Sequence, residues 1–486
     1  MTNPLYFRQN RSILQLAQRM PAIFANGTFT VFLLLALCTP AWRVGPFTWW
    51  TVWQSAHPYG NPAQIGLLSL LPVVCVLAWG VDRLADRQRQ SWQWGSATLT
   101  LPLLVLSLLI LRSLQPALNE RTLVQVIALV LFWFSYLYAL NKRPPLTLLL
   151  SIVVLVQAGV ALAQCGLQRE LGLAFLGELS LDPHVRGTSV LWSSSQIAWL
   201  RGYGLTAHPN VLGVTLAVLL LVLLPGLREL RGWRQMGLAA VLAVGALGLL
   251  VSFSRTAWLA FLGGLLYWAL RRNALRSLWA QRGVWLPFLV VPVFLLIYYD
   301  LIFSRLFHLE SVIEARSLYE RVRDAQTAWQ LIVAHPWLGV GAGNGLAAAQ
   351  AVHPDAGSVH SVPLLVMVEL GALGGICWLL FMALPLLRSA SLSLWRRPPA
   401  SAHPYAAVWV GVLIAGLFDT PLWFTTSWRA ALLLGLLAAL QTQNNALVKV
   451  PGTFCSNGSV DKVPASEVRE VPGTFFQTSD DGKGEA

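Results

Sequence analysis

Apolar runs close to the roughly 20 residues that a helix needs to cross a bilayer recur along almost the whole sequence. They fall at about 22–40, 64–81, 97–114, 122–140, 146–166, 209–227, 236–253, 256–270, 284–300, 361–387, 404–418 and 425–441. The expected fold is therefore an all-α polytopic membrane protein with about twelve transmembrane helices, or fewer if 236–253 and 256–270 form one bent hairpin. Composition points the same way: 56% of the 486 residues are hydrophobic and 11% charged, against roughly 25% charged in a soluble globule.

The net charge of +13 is parcelled into short loops rather than gathered on one face, which speaks against nucleic acid. Arg8, Arg11 and Arg19 precede the first run. Alternate loops then hold Arg83/Arg87/Arg89, Lys142/Arg143, Arg228/Arg231/Arg234, Arg271/Arg272/Arg276/Arg282 and Arg388/Arg396/Arg397. By the positive-inside rule these loops and both termini are cytoplasmic. Two long segments, about 167–208 and 301–360, then face outward within one membrane domain, 1–441. The polar stretch 442–486, with Val-Pro-Gly-Thr-Phe at 450–454 and 471–475, is expected to be a disordered cytoplasmic tail. The first run reads as an anchor rather than a cleavable signal. Cys38, Cys75, Cys165, Cys377 and Cys455 show neither a disulfide framework nor metal-type spacing. Tryptophans near run ends, including Trp42, Trp49, Trp50 and Trp53, suit an interfacial aromatic belt.

The second outward segment carries the most chemistry. Leu318, Val322, Ala325, Trp329 and Ile332 recur at helical spacing, predicting a helix that lies on the membrane surface or packs on the span ends by that apolar face, with Arg321 and Asp324 on its polar flank. The first outward segment ends Arg201-Gly202-Tyr203-Gly204-Leu205-Thr206-Ala207-His208-Pro209-Asn210. There, Thr206, His208 and Asn210 either cap a helix starting near Pro209 or, with Arg201, offer an anion site at its N-terminus. Arg255, after Ser252-Phe253-Ser254, either snorkels at the interface or joins Arg201 and Arg321 on the same outward side. Three fixed cations suit a diphosphate, since the guanidinium fork binds phosphate oxygens in pairs.

His360 opens a span and is either its cap or a base, an imidazole of ordinary pKa about 6.5 being able to take a hydroxyl proton near neutral pH. Glu369 lies roughly 13 Å further along the same helix, at 1.5 Å per residue, and reads as a hydrogen-bond partner inside the bundle. Asp419, in Phe418-Asp419-Thr420-Pro421, either orients a histidine or arginine or caps a helix.

These residues carry a resemblance. Arg201 before His208-Pro209-Asn210, then Ser254-Arg255, Arg321 with Trp329, Pro336 and Gly339-Val340-Gly341, and His360-Ser361 with Glu369-Leu370-Gly371 resemble the O-antigen ligase and O-antigen polymerase superfamily over roughly 200–380. The resemblance implies a GT-C-like helical fold in the bacterial inner membrane. It also implies transfer of a glycan from an undecaprenyl-diphosphate carrier to an acceptor hydroxyl on the periplasmic side, with inversion and without metal or other cofactor. Arg201 and Arg321 would clamp the diphosphate, Arg255 would add a third contact, and His360 would be the catalytic histidine. His208, Asn210, Glu369 and Asp419 would line the substrate site. The alternatives are a polymerase extending the lipid-linked polymer, a non-catalytic glycan scaffold, and a bicarbonate-type anion transporter. Arg321…Pro336-Trp337-Leu338-Gly339 and Leu417-Phe418-Asp419-Thr420 are similar to a putative inorganic-carbon-transporter branch, where the residue before Ser361-Val362-Pro363 need not be histidine; His360 favours the transferase.

Overall fold

The apolar runs become helices almost throughout. A computed structural model describes residues 4–38, 51–53, 63–64, 70–85, 92–113, 120–185, 187–193, 195, 197–270, 285–307, 312–395, 405–423 and 428–447. The expected tail from 448 on, the basic loops at 271–284 and 396–404, and Trp42, Trp49 and Trp50 lie outside the described residues.

In chain order the helices are α1 (Pro4–Cys38), α2 (Leu70–Ala85), α3 (Ala97–Arg112), α4 (Glu120–Lys142), α5 (Leu146–Leu167), α6 (Pro209–Leu223) and the single turn α7 (Gly226–Glu229). They continue as α8 (Trp233–Val251), α9 (Arg255–Ala269), α10 (Trp285–Ile297), α11 (Tyr299–Phe307), α12 (Val312–Ala334), α13 (Gly345–Val352), α14 (Val362–Trp395), α15 (Ala406–Phe418) and α16 (Trp428–Leu447). Among the described residues two short antiparallel strand pairs accompany them, β1 (Thr51–Trp53) with β2 (Ala63–Gln64) and β3 (Val190–Trp192) with β4 (Ala198–Leu200).

Among the described residues six segments are long and apolar enough to cross a membrane: Met20–Cys38, Gln125–Lys142, Leu146–Leu167, Pro209–Glu229, Trp233–Val251 and Val362–Leu387. The chain is thus a helical, multi-pass membrane protein. The run expected at 284–300 is broken, with α10 and α11 bent by 82°. The runs at 97–114 and 404–418 are shorter apolar helices, and those at 236–253 and 256–270 are two helices, α8 and α9. Helix α16 continues six residues past the expected boundary at 441, because its polar end finds partners: Thr442 donates to Ala438 O and Gln443 Nε2 to Ala139 O.

The central element is α6. It packs against α5, α8, α9 and α15, and thirteen of its residues are buried, with Leu212, Val214, Leu216 and Val218 fully so. A helix apolar all round belongs in the middle of a bundle. Its N-terminus, at His208-Pro209-Asn210, is where the candidate residues gather.

On helix α12 the expected apolar stripe is not packed on the span ends. Leu318, Val322 and Trp329 are 65%, 49% and 60% exposed, whereas Asp324, Thr327, Ala328 and Leu331 are buried. The buried face is the one whose polar groups have partners and whose small residue permits close approach. Thr327 donates to Arg323 O at 3.0 Å, and Asp324 is held by the loop before His360. The large apolar side chains point away from the protein.

The glycine-rich loop 336–343 docks onto a break in α14. At Gly371 the backbone turns to φ 67°, ψ −166°, a region that side chains other than glycine rarely enter. The carbonyls freed there accept Val340 N–H (Val368 O, 2.9 Å) and Gly341 N–H (Glu369 O, 2.9 Å). A Cβ on Gly371 would stand 2.2 Å from Trp337 C, and one on Gly339 2.4 Å from Glu369 C. The two chains therefore touch backbone to backbone, and the loop's glycines serve packing.

Candidate active site

The N-terminus of α6 is built by a proline at its first turn and a histidine cap. Asn210 N donates to His208 Nδ1 at 3.1 Å, so His208 fills the capping role that its position predicts. Burial and then the positive charge of Arg201 push the His208 pKa down to about 3, which keeps the imidazole neutral and its Nδ1 available as acceptor.

Arg201 reaches this helix end from β4. It is 4% exposed, and a buried guanidinium requires compensation. Its Nε donates to Ser252 O at 2.9 Å, NH1 to Ser189 Oγ at 2.8 Å and NH2 to Asn210 Oδ1 at 2.8 Å. The Ser252 carbonyl is presented by the tight α8–α9 turn, where Phe253 has φ 46° and Ser254 Oγ caps α9 by accepting from Ala257 N. Arg255 is placed by the same turn as the first residue of α9.

Asn210 passes the connection on. Its Nδ2 donates to Asp419 Oδ2 at 3.1 Å. Asp419 ends α15 and is fully buried; its other oxygen accepts Thr420 N–H at 2.8 Å and faces His360 Nδ1 at 3.6 Å. That separation is an ion-pair rather than a full hydrogen-bond distance. Burial opposes ionisation of Asp419, but the contact and charge of His360, the Thr420 N–H and the Arg321 charge outweigh it and hold the carboxyl below its ordinary range. The His360 side chain is 22% exposed, whereas that of Asp419 beside it is 0% exposed.

Helix α12 braces this group from the other side. Arg321 NH1 approaches Phe418 O at 3.4 Å, one residue before Asp419. One turn on, the buried Asp324 accepts Gly357 N–H at 3.0 Å and both Nε and NH2 of Arg323, at 3.1 and 2.8 Å. Gly357 is three residues before His360, and a Cβ there would stand 2.7 Å from Asp324 Oδ2. One helix therefore holds both the Asp419 end of α15 and the segment that delivers His360.

Arg201, His208, Asn210, Asp419, His360 and Arg321 thus converge from three parts of the sequence. Glu369 lies elsewhere: it is buried within α14, its side chain over Gly345, the first residue of α13, where a helix N-terminus favours a carboxylate. Arg305 was not among the expected residues. Its Nε donates to Phe253 O at 3.1 Å, and its charge acts on His208. The criterion that selected Arg255, an arginine on the outward side, would also have selected it. Among the described residues no three His, Cys, Asp or Glu side chains converge as a metal site would require.

Comparison with curated proteins finds no match. The family model described as O-antigen ligase matches residues 238–379, from α8 into α14, and so includes Arg255, Arg321, His360 and Glu369, while Arg201, His208, Asn210 and Asp419 lie outside it. This helical multi-pass membrane chain is thus similar to the O-antigen ligase family over residues 238–379.

Proposed function

We propose that this chain moves a glycan from undecaprenyl diphosphate to an acceptor hydroxyl on the periplasmic side of the bacterial inner membrane. The observation that carries the reading is the buried chain from Arg201 through Asn210 and Asp419 to the partly open His360. A buried carboxylate facing Nδ1 fixes the orientation of an imidazole and stabilises its protonated form, leaving Nε2 to accept a proton.

In this reaction the acceptor oxygen attacks the anomeric carbon, a new C–O bond forms, and the bond from that carbon to the diphosphate oxygen breaks. The electron pair leaves with undecaprenyl diphosphate, and the hydroxyl proton passes to His360. Attack opposite the leaving group inverts the anomeric centre. Arg321 and Arg255, with Arg305, stabilise charge developing on the diphosphate, without a metal or other cofactor. Arg201, already committed to Ser252, Ser189 and Asn210, adds its positive charge there while steadying Asn210. Removing one such donor typically costs about 10²–10³ in rate, and removing a general base about 10²–10⁴. The same reading takes the membrane domain, 1–441, as a GT-C-like bundle of about twelve spans with both termini and the tail cytoplasmic.

The test is reconstitution of the full chain with an undecaprenyl-diphosphate glycan and envelope acceptors, following release of the carrier. His360→Ala and Arg321→Ala should each slow release by about 10² or more. Release at the wild-type rate by both variants, or bicarbonate uptake by proteoliposomes with no carrier release, would sink the proposal. Ligation yields product of the donor's length on a new acceptor, and polymerisation yields a lengthened carrier-linked chain.

A further inference from the structure

Behind β4 lies a cleft of about 930 Å³ with no part in the chemistry above. It is lined by Arg169, Glu170, Ser180, Asp182, His184 and Trp199, together with apolar surface from Leu181 and Ile197. All of it falls before residue 200, outside the segment that the O-antigen ligase model matches. Its volume is in the range of small-ligand sites, about 300–1,000 Å³.

The walls are built by side chains that capture backbone N–H groups. The buried Glu178 accepts Leu171 N at 2.9 Å, Leu173 N at 2.7 Å and Gln164 Nε2 at 2.8 Å. Glu170 accepts Leu181 N, and Asp182 accepts His184 N, each at 2.8 Å. Gln168 Oε1 accepts Leu200 N at 2.7 Å, fastening the loop to β4. Gln164 extends the same framework to the loop just after Arg201, donating to Gly204 O and accepting Tyr203 N. A cavity fixed by this many internal bonds keeps its shape before a ligand arrives, which lowers the ordering cost of binding.

Its chemistry selects the ligand. Two carboxylates and one guanidinium are among its lining side chains, so the lining does not favour a diphosphate. Donors and acceptors stand together with an indole and aliphatic surface in the lining, which suits a molecule whose hydroxyls both donate and accept and whose C–H faces are apolar. We propose that this cleft is a glycan subsite, holding a short run of sugar residues away from the reacting end. Trp199 is two residues before Arg201, about 7 Å along an extended strand, so a sugar chain in the cleft can lead toward the Arg201–His360 group. The inference rests on the glycan-transfer reading. The donor and acceptor glycans share this chemistry, and the experiment separates them.

The full chain in nanodiscs is titrated with two sets of oligosaccharides released by mild acid from its source cells, one from the lipid-linked glycan and one from the envelope acceptor. Saturation-transfer NMR reports binding, and carrier release is measured on the same samples. Wild type and His360→Ala should bind one set alike, and that set identifies the source. The exposed pair Arg169→Ala with His184→Ala, and separately Asp182→Asn, should weaken binding by about tenfold or more, while Trp199→Phe, which keeps an aromatic face, should weaken it less. Equal binding by all variants, or no binding by a wild type that releases carrier normally, would overturn the cleft assignment and leave the transfer reading intact. Cleft-dependent binding by a chain that never releases carrier would support the subsite and remove the transfer reading.

Discussion

Asn210 donates its side-chain amide to Asp419 at 3.1 Å while accepting from Arg201 at 2.8 Å, and so joins the start of the central helix to a carboxylate 209 positions further on. An amide is suited to this place because it offers a donor to the anion and an acceptor to the cation. Asn210→Ala removes one hydrogen-bond partner from each of two buried charged groups, Arg201 and Asp419, at about 1–3 kcal/mol for each lost bond. The expected result is a lower unfolding temperature in nanodiscs together with slower carrier release, with Asn210→Gln between the two. Unfolding of Asn210→Ala at the wild-type temperature would show that the bridge is not structural.

Asp419→Asn keeps the shape of the side chain and removes its charge. An amide beside His360 Nδ1 stabilises the imidazolium less, so the cost should fall on turnover. The rate of carrier release should drop by about 10²–10⁴ with little change in KM for the lipid-linked donor. A change confined to KM would assign Asp419 to substrate binding instead.

Acidification should destabilise the fold through His208. Its pKa lies at about 3 in the folded protein, below the roughly 6.5 of an unfolded chain. The stabilising contribution is therefore complete above pH about 6.5 and is lost as pH falls through the window down to about 3. The slope from this one group is at most about 1.4 kcal/mol per pH unit. The depressed Asp419 carboxyl acts in the same direction lower down, its contribution present above the ordinary carboxylate range and lost as pH falls through its folded value. His208→Asn retains a capping oxygen without a titrating ring. Thermal unfolding at pH 7.5 and pH 5 should show a clear loss for wild type and a smaller one for His208→Asn.

The sequence reveals composition and period, and those parts of the fold were readable. Six long apolar segments among the described residues and the cap at His208-Pro209-Asn210 follow from runs and turns. Contact between distant positions was not readable. Nothing local to Asn210 names Asp419 as its partner, and nothing local to Arg201 says that its three nitrogens are directed at Ser252, Ser189 and Asn210. Periodicity identified the apolar stripe of α12 but not which way it faces. That is decided by Asp324, whose hydrogen bond to Gly357 N–H lies on the opposite side. Nor does the sequence say what the glycines of loop 336–343 meet; the clearances of 2.4 Å at Gly339 against Glu369 and 2.2 Å at Gly371 against Trp337 assign them to chain packing.

That clearance gives a sharp mutational expectation. Gly371→Ala places a methyl group on a left-handed residue and into backbone that has no flexible end to swing away. Strain of about 1–3 kcal/mol is typical of a non-glycine residue in such a conformation before any clash. The variant should expel loop 336–343 from the break in α14, seen as faster amide exchange at Val340 and Gly341, whose N–H groups now bond Val368 and Glu369. Unaltered exchange at both would show that the loop is held by other contacts.

Asp324 tests whether His360 must be delivered by α12. Its carboxylate fixes Gly357, and the neighbours Ala356, Ser358 and Val359 are 3%, 4% and 8% exposed, so the segment reaching His360 has little freedom while that bond stands. Asp324→Asn retains an oxygen for Gly357 N–H and loses the charge that Arg323 holds; Asp324→Ala loses both and leaves a buried N–H without its acceptor. A displacement of about 1 Å in a reacting group can cost about 10² in rate. Asp324→Ala should therefore slow carrier release by about 10–10² with KM nearly unchanged, and Asp324→Asn should recover most of it. A merely structural role predicts the opposite ordering of readouts: protein yield and unfolding temperature would fall in step with activity, and turnover per folded molecule would stay at the wild-type value. Turnover normalised to folded protein decides between them.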